Sequence, residues 1–282
     1  MIGVSVVLPT KNRPSFLRRA LSSVADQSGC KIEVLIACEN PDPADSGQAL
    51  KDSAVPGKVI FTGGVGPAKS RNLAADEAKF DWLAFLDDDD VWPKGHLSRG
   101  IKIGSQIKNC SLFYGNAICE QTNQSVLSGR VPIRGQGLSA LLLDNVIATS
   151  TAMMPAQLFF KLGGFETEFE PAEDYRLWLK AAAAGPLAFD PSFHATVSFC
   201  SERLSANEAR SFLATARVIE AFLAQNYLSS GSVVGLTKRL ADLYHAAALD
   251  LYQNGHFSEA RKILWRSVKI QPTRFLALRH LV

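Results

Sequence analysis

The chain has 282 residues, 47% of them hydrophobic and 20% charged, with a formal net charge of +3. That balance excludes a disordered polypeptide and leaves room for one large core, or for a domain with an appendage. The charge is too mild to point to nucleic acid as a partner, and five cysteines without a CxxC pair fit reduced thiols in the cytoplasm better than a disulfide framework.

The N-terminal MIGVSVVLP is apolar but carries no basic flank and no small-residue cleavage site, so it reads as a first strand rather than a signal peptide. The apolar stretch from Leu138 to Pro155 is broken by Asp144 and Asn145. No segment therefore reaches the roughly 20 apolar residues of a membrane span, and any membrane contact is expected to be peripheral.

VSVVLP is a near-continuous apolar run, suited to a strand buried on both faces of a parallel sheet. Beyond Pro14, with Ser15 as its expected cap, a helix places Leu17, Ala20, Leu21 and Val24 on one stripe. The alternation continues with strand IEVLIAC, a loop rich in Pro and Asp, strand KVIFT, a helix from about Ala68 to Ala78, and strand WLAFL. Such β and α alternation predicts right-handed crossovers and a mostly parallel, doubly wound sheet.

Past Leu97 the pattern predicts a helix to Ile107, strand SLFYGNAI, helix LSALLLDN, strand TSTAMM and a helix entered through EPAEDYRLWLKAAAA. From about Ser205 strand signals stop. LADLYHAAALDLYQNG and FSEARKILWRSVKIQP read as two helices parted by Gly255, the second ended by Pro272, close in pattern to one tetratricopeptide-type hairpin. The expected division is a domain at residues 1–205 and a helical region at 206–282.

Ligands of doubly wound sheets gather beyond the carboxyl ends of the strands. PTKNR after the first strand, Glu39 after the second and the aspartates of WLAFLDDDDVW after the fourth all fall there. The aspartate run is open to two readings: a solvated acidic turn, or a cation site. If residues 87–89 stay extended, Asp87 and Asp89 point one way and Asp88 the other, and the pair is suited to one magnesium or manganese ion bridged to a diphosphate.

GGVGPAKS, residues 63 to 70, raises a rival, because it differs from the phosphate-cradling GxxxxGK[ST] pattern by Ala68 alone and would make the chain a P-loop NTPase. Against it, Ala68 adds a Cβ where glycine is wanted and Pro67 deletes a backbone donor. Further on, Glu173 and Asp174 open an amphipathic helix with Leu177, Ala181 and Ala184 as its inward stripe, where the macrodipole favours carboxylates.

Taken together, VSVVLPTKNRPSFLRRALSSVADQ, AKSRNLAADEA, WLAFLDDDDVWP, LGGF and EDYRLWLKAAAAG resemble the family 2 glycosyltransferases in order and spacing, over roughly residues 3 to 205. The resemblance implies the α/β GT-A fold, a Rossmann-like mixed sheet, here with a C-terminal helical appendage. It implies metal-dependent, inverting transfer of a sugar from a nucleotide-diphosphate donor, a UDP-sugar being favoured, to an acceptor hydroxyl. By that likeness Pro9 and Thr10 line the nucleoside pocket, Glu39 reads the base, Arg71 faces the diphosphate and Asp88 approaches the ribose. Asp87 and Asp89 match the metal motif, for Mn2+ or Mg2+, and Asp174 matches the general base. The implied acceptor is a glycan or lipid-linked glycan in surface polysaccharide or glycoconjugate synthesis.

Two positions depart from the family pattern. Glu39 stands where the family usually has Asp, and Cys200 stands where many members have a His that completes the metal site, with His194 as a substitute ligand. A catalytically inactive nucleotide-sugar-binding or scaffold protein is therefore a further reading. Trp92 and Trp178 flank the expected site, either to stack on a sugar or to pack in the core.

Between Gly231 and Val282 there are eight Lys or Arg against three Asp or Glu. Arg261, Lys262, Arg266 and Lys269 lie near Ile263, Leu264, Trp265 and Val268, as in helices that rest on anionic membranes, although a solvated face packed on its own domain has the same composition.

Overall fold

The computed structural model describes residues 1–198, 208–225 and 233–272. These form two compact units. The first is built on Met1–Leu138, Val146–Thr167 and the chain from Leu177, and the second gathers Ser139–Asn145, Glu168–Arg176 and the helices from Glu208 onward.

The first unit carries a seven-stranded sheet. In chain order it has β1 (Gly3–Thr10), α1 (Pro14–Ala25), β2 (Lys31–Cys38), α2 (Ala44–Ser53), β3 (Gly57–Phe61), α3 (Pro67–Ala75), β4 (Trp82–Phe85), α4 (His96–Gln106) and β5 (Leu112–Cys119). The chain continues with α5 (Leu138–Leu143), counted from Ser139 in the second unit, then β6 (Met153–Pro155), α6 (Ala156–Lys161), α7 (Glu173–Ala184), of which Glu173–Arg176 is also counted there, and β7 (Leu187–Val197). The strand order is β3-β2-β1-β4-β6-β5-β7. β1 pairs in parallel with β2 and β4, β2 with β3, and β5 with β7, while β6 runs antiparallel to β4 and β5.

The first half is the doubly wound sheet that the β and α alternation predicts. The apolar run of β1 is buried at Val4, Val6, Val7 and Leu8, and the α1 stripe of Leu17, Ala20, Leu21 and Val24 packs in the same core. Three elements differ from expectation. Helix α1 begins at Pro14 with Arg13 in the cap position and no side-chain cap, because proline presets the first helical φ and Ser15 is already inside. In TSTAMM only Met153 and Met154 join β6, since Thr149–Thr151 winds into a 3-10 turn. Ala184 is exposed, and Trp178, Leu179 and Ala182 extend the buried surface of α7 around the helix.

The sheet's direction of growth reverses between β1 and β4: β2 and β3 lie to one side of β1, and β4 with the rest to the other. The crevice at the carboxyl ends of β1 and β4 is therefore the switch point where such sheets take ligands.

In the second unit, helices Glu208–Ala224, Val233–Gln253 and Phe257–Ile270 pack together. Ala209, Ala247, Leu251 and Ala260 share one small core. The turn between the last two helices is made at Gly255, whose φ of +81 suits glycine.

Candidate active site

The register of the sheet assembles the site. Thr10 at the end of β1 is level with Cys38 at the end of β2, and Val7 is level with Phe85, so β4 delivers the aspartates beside Thr10. The Thr10 hydroxyl donates to Asp88 Oδ2 at 2.8 Å, and the Glu39 N–H donates to the Thr10 carbonyl at 3.0 Å. Glu39 in turn accepts the Ser70 hydroxyl at 3.1 Å and lies 3.3 Å from Lys11 Nζ. Half-buried Pro9 precedes Thr10 on the same strand.

Gly63, Gly64 and Gly66 all have positive φ, and Pro67 opens α3 directly after them. This glycine-rich turn brings Ser70 to Glu39 and Arg71 to the aspartates. Arg71 Nη2 donates to Asp87 Oδ1 at 2.5 Å, while its guanidinium lies 5.5 Å from the Phe165 ring centroid. Asn72, next along, donates to the Phe165 carbonyl at 2.8 Å and accepts the Phe165 N–H at 2.9 Å. The resemblance motifs AKSRN and LGGF are therefore one physical device that holds Arg71 over Asp87.

Residues 87–90 do not continue β4 as extended chain. The Asp90 N–H donates to the Asp87 carbonyl at 3.1 Å, closing a turn with Asp88 and Asp89 at its corners. Strict alternation is lost: Asp88 and Asp89 are both reached by Arg13 Nη1, at 3.3 and 2.8 Å, and Asp87 is left to Arg71. Asp90 turns inward, accepting the Ser198 N–H at 2.9 Å and the Ser150 hydroxyl at 2.5 Å. Burial, reinforced by the charge of Asp87, pushes the Asp90 carboxyl up to about 8. Burial also raises Asp88, with Thr10 and Arg13 partly offsetting it. For Arg13 burial opposes the charge, but Asp88 and Asp89 outweigh it and hold its pKa above the usual value.

Asp87 and Asp89 offer the hard carboxylate oxygens that Mg2+ or Mn2+ prefers, and the side chain of Asp87 is one-third exposed. Among the described residues no group of three or more His, Cys, Asp or Glu converges as a self-sufficient metal cage. The donor set fits a cation that draws its remaining ligands from a diphosphate and water. Cys200 lies outside the described residues.

His194 is not available as the substitute ligand. It is fully buried, its Nδ1 lies 2.8 Å from His96 Nδ1, and its Nε2 lies 2.9 Å from Asp190 Oδ2. Both ring nitrogens are engaged in the interior. Gly115 makes the space, since a Cβ there would sit 2.2 Å from the imidazole. Trp92 and Trp178 are core residues: Trp92 donates to the Ser150 carbonyl at 2.6 Å and packs on His96, and Trp178 packs against Phe85 and Phe165.

Asp174 lies in the first turn of α7, where its Oδ1 accepts the Tyr175 N–H at 2.5 Å. Arg13, Ser70, Asn72 and Ser150 are site residues that sequence reasoning did not single out. Arg13 had one legible signal, a cation placed just before the helix-opening Pro14 at a ligand edge.

Residues 5–108 match the family model described as glycosyl transferase family 2. An uncharacterized glycosyltransferase of Haemophilus influenzae is 30% identical over 195 residues, covering 67% of this chain and 63% of that one. The β-1,3-glucosyltransferase WfgD of Escherichia coli, whose name gives UDP-Glc as donor and α-D-GlcNAc-diphosphoundecaprenol as acceptor, is 29% identical over 62% of this chain and 68% of its own. The chain spans 63% of the length of the Haemophilus relative and 35% of that of an uncharacterized glycosyltransferase of Rickettsia felis. In fold it is similar to S. aureus TarS 1-349 in complex with UDP, at TM-score 0.60 and 16% identity, covering 98% of this chain and 92% of that one. It is also similar to the mannosyltransferase PcManGT of Pyrobaculum calidifontis in complex with GDP-Man and Mn2+, at TM-score 0.68 and 16% identity, covering 92% of this chain and 75% of that one.

Proposed function

From the chain's membership of glycosyl transferase family 2 and its GT-A fold, we propose that it is a metal-dependent inverting transferase, moving a sugar from a nucleotide-diphosphate donor to an acceptor hydroxyl. The observation that carries this reading is the Asp87–Asp90 turn at the switch point, flanked by Arg13 and Arg71 and joined through Thr10 to Glu39.

In this reading Pro9, Thr10 and Glu39 receive the nucleoside, and Glu39 accepts from the base. Asp88 faces the ribose, Arg71 takes a diphosphate oxygen, and Asp87 with Asp89 holds Mn2+ or Mg2+. When bound, the cation offsets charge on the leaving diphosphate as a Lewis acid. Asp174 takes the proton of the attacking hydroxyl, and a single displacement inverts the anomeric carbon.

A UDP-sugar is the favoured donor, supported by the name of WfgD and the UDP bound to TarS, while the GDP-Man of PcManGT keeps guanosine in the test. The acceptor we propose is a lipid-linked glycan in surface polysaccharide synthesis, as WfgD's name suggests for that relative. We place the protein in the cytoplasm with peripheral membrane contact through helix Phe257–Ile270. No described helix is long and apolar enough to cross a membrane.

A thermal-shift panel of UDP, GDP, dTDP, CDP, ADP and ATP, each without metal, with Mn2+ and with Mg2+, tests the reading. Manganese-dependent stabilisation by one non-adenine diphosphate, absent in Asp89→Asn, is the expected outcome. Stabilisation by ATP with Mg2+ alone would return the chain to the NTPase reading.

A further inference from the structure

Arg13 touches two aspartates of the turn through one guanidinium nitrogen. Its Nη1 lies 2.8 Å from Asp89 Oδ2 and 3.3 Å from Asp88 Oδ1. The sequence builds this reach locally. Pro14 disfavours helical backbone at the residue before it, so Arg13 stays outside α1 with φ −134 and ψ 57, and its side chain crosses Phe16 at 5.9 Å to the ring centroid. Arg13 is held less firmly than Arg71, since Arg71 is 8% exposed and Arg13 is 24% exposed at the side chain.

We propose that Arg13 is an exchangeable counter-ion: it holds Asp88 and Asp89 until a nucleoside diphosphate arrives, and it keeps a divalent cation from settling on the turn alone. This rests on the metal-dependent transferase reading above.

The Asp89 oxygen that Arg13 occupies is one that a cation would take, and two positive groups on one carboxylate oxygen repel strongly at a partly buried site. Asp87, Asp88 and Asp89 face the two guanidiniums of Arg13 and Arg71. A divalent cation alone would leave this group positive, and a diphosphate alone would leave it more negative. Entry of both together changes its formal charge little. The diphosphate also gives the planar guanidinium a new bidentate partner, so Arg13 leaves Asp89 without becoming an unpaired charge. Cation and donor then bind with strong positive coupling, and Arg13 is a positioning residue whose effect is read in metal affinity.

The test is a Mn2+ titration followed by electron paramagnetic resonance, where bound ion loses the sharp signal of free ion. It is run on the wild type, Arg13→Gln and Arg13→Lys, with and without UDP or GDP. The wild type is expected to bind Mn2+ weakly alone and much more tightly with the diphosphate. In Arg13→Gln, Mn2+ alone should bind roughly tenfold tighter or more, and the dependence on the diphosphate should shrink. Arg13→Lys keeps a cation and should stay within about threefold of the wild type for Mn2+ alone.

If Arg13→Gln binds Mn2+ no tighter than the wild type, while the wild type still binds diphosphate with Mn2+, the counter-ion role is overturned and the transferase reading stands. If Arg13→Gln does not fold, the wild type decides: Mn2+ affinity indifferent to the diphosphate overturns the proposal. If the wild type binds neither diphosphate in the presence of Mn2+, the metal-dependent reading itself has failed and takes this role with it.

Discussion

Asn72 and Phe165 exchange two hydrogen bonds, at 2.8 and 2.9 Å, although 93 residues separate them in the chain. The exchange fixes the second half of α3 against the loop after α6. Gly164, with φ +65, permits the approach, because a Cβ there would meet Asn72 Oδ1 at 2.6 Å. Asn72→Ala leaves the Phe165 N–H and carbonyl without this partner and should cost about 1–3 kcal/mol in a urea melt. Arg71 should lose its alignment with Asp87, so affinity for a diphosphate with Mn2+ should fall as well. Lost stability with unchanged diphosphate affinity would show that the pair supports the fold but does not aim Arg71.

The aspartates and the helix-borne Asp174 should separate binding from turnover. Asp89→Asn is nearly isosteric and should leave the fold intact while weakening metal-dependent nucleotide binding. Asp174→Asn should bind donor and metal normally and lower turnover by about 10²–10⁴-fold, the range of general base catalysis. Release of nucleoside diphosphate, measured with acceptor present, reads both. Equal turnover by Asp174→Asn and the wild type would remove Asp174 from the mechanism.

Much of this was legible because apolar runs and helix stripes report burial directly. The β1 run, the α1 stripe and the aspartates beyond β4 all stand where periodicity places them. Geometry set by long-range partners was not legible. The turn at residues 87–90 depends on hydrogen bonds from Ser150 and Ser198, far along the chain, and these turn Asp90 inward and break the alternation expected of an extended segment. His194 looked like a spare ligand because sequence cannot show that His96 and Asp190 occupy both of its nitrogens. The basic helix Phe257–Ile270 is likewise only partly apolar outward: Leu264 and Val268 are buried, and Arg266 is engaged by Glu220 and the Tyr244 ring.

Acid should weaken the protein through the buried imidazole pair. Burial lowers the pKa of His96 well below its ordinary value, with His194 and Arg99 adding repulsion. Burial lowers that of His194 too, partly offset by Asp190. A depressed histidine binds protons more readily when unfolded, so its contribution is complete above about pH 6.5 and declines as pH falls below that value. Asp190, held at about 2, adds its own loss only below about pH 4. The buried Asp90 carboxyl, pushed up to about 8, works in the opposite sense over this range in wild type and variant alike, so the histidine contribution is read as a difference: the urea midpoint of the wild type should lose more between pH 7 and pH 5 than that of His96→Gln. A variant whose midpoint follows the wild-type curve in parallel would locate the acid sensitivity elsewhere.

The outward face of helix Phe257–Ile270 determines what membrane contact would require. Phe257 is 59% and Trp265 43% exposed, and Tyr252, at the end of the preceding helix, packs on Phe257. Arg261, Lys262 and Lys269 are exposed on the same helix. Aromatic and basic groups side by side suit the interface of an anionic bilayer, where each basic residue contributes about 1 kcal/mol. Reversing Lys262 and Lys269 to Glu should therefore weaken co-sedimentation with phosphatidylglycerol vesicles by more than about tenfold. Trp265→Ala should weaken it at high salt, where the charge contribution is screened and the aromatic one remains. Binding to neutral phosphatidylcholine vesicles should be weak throughout. Equal binding to both vesicle types, or none to either, would leave this helix as a solvated face of its own unit.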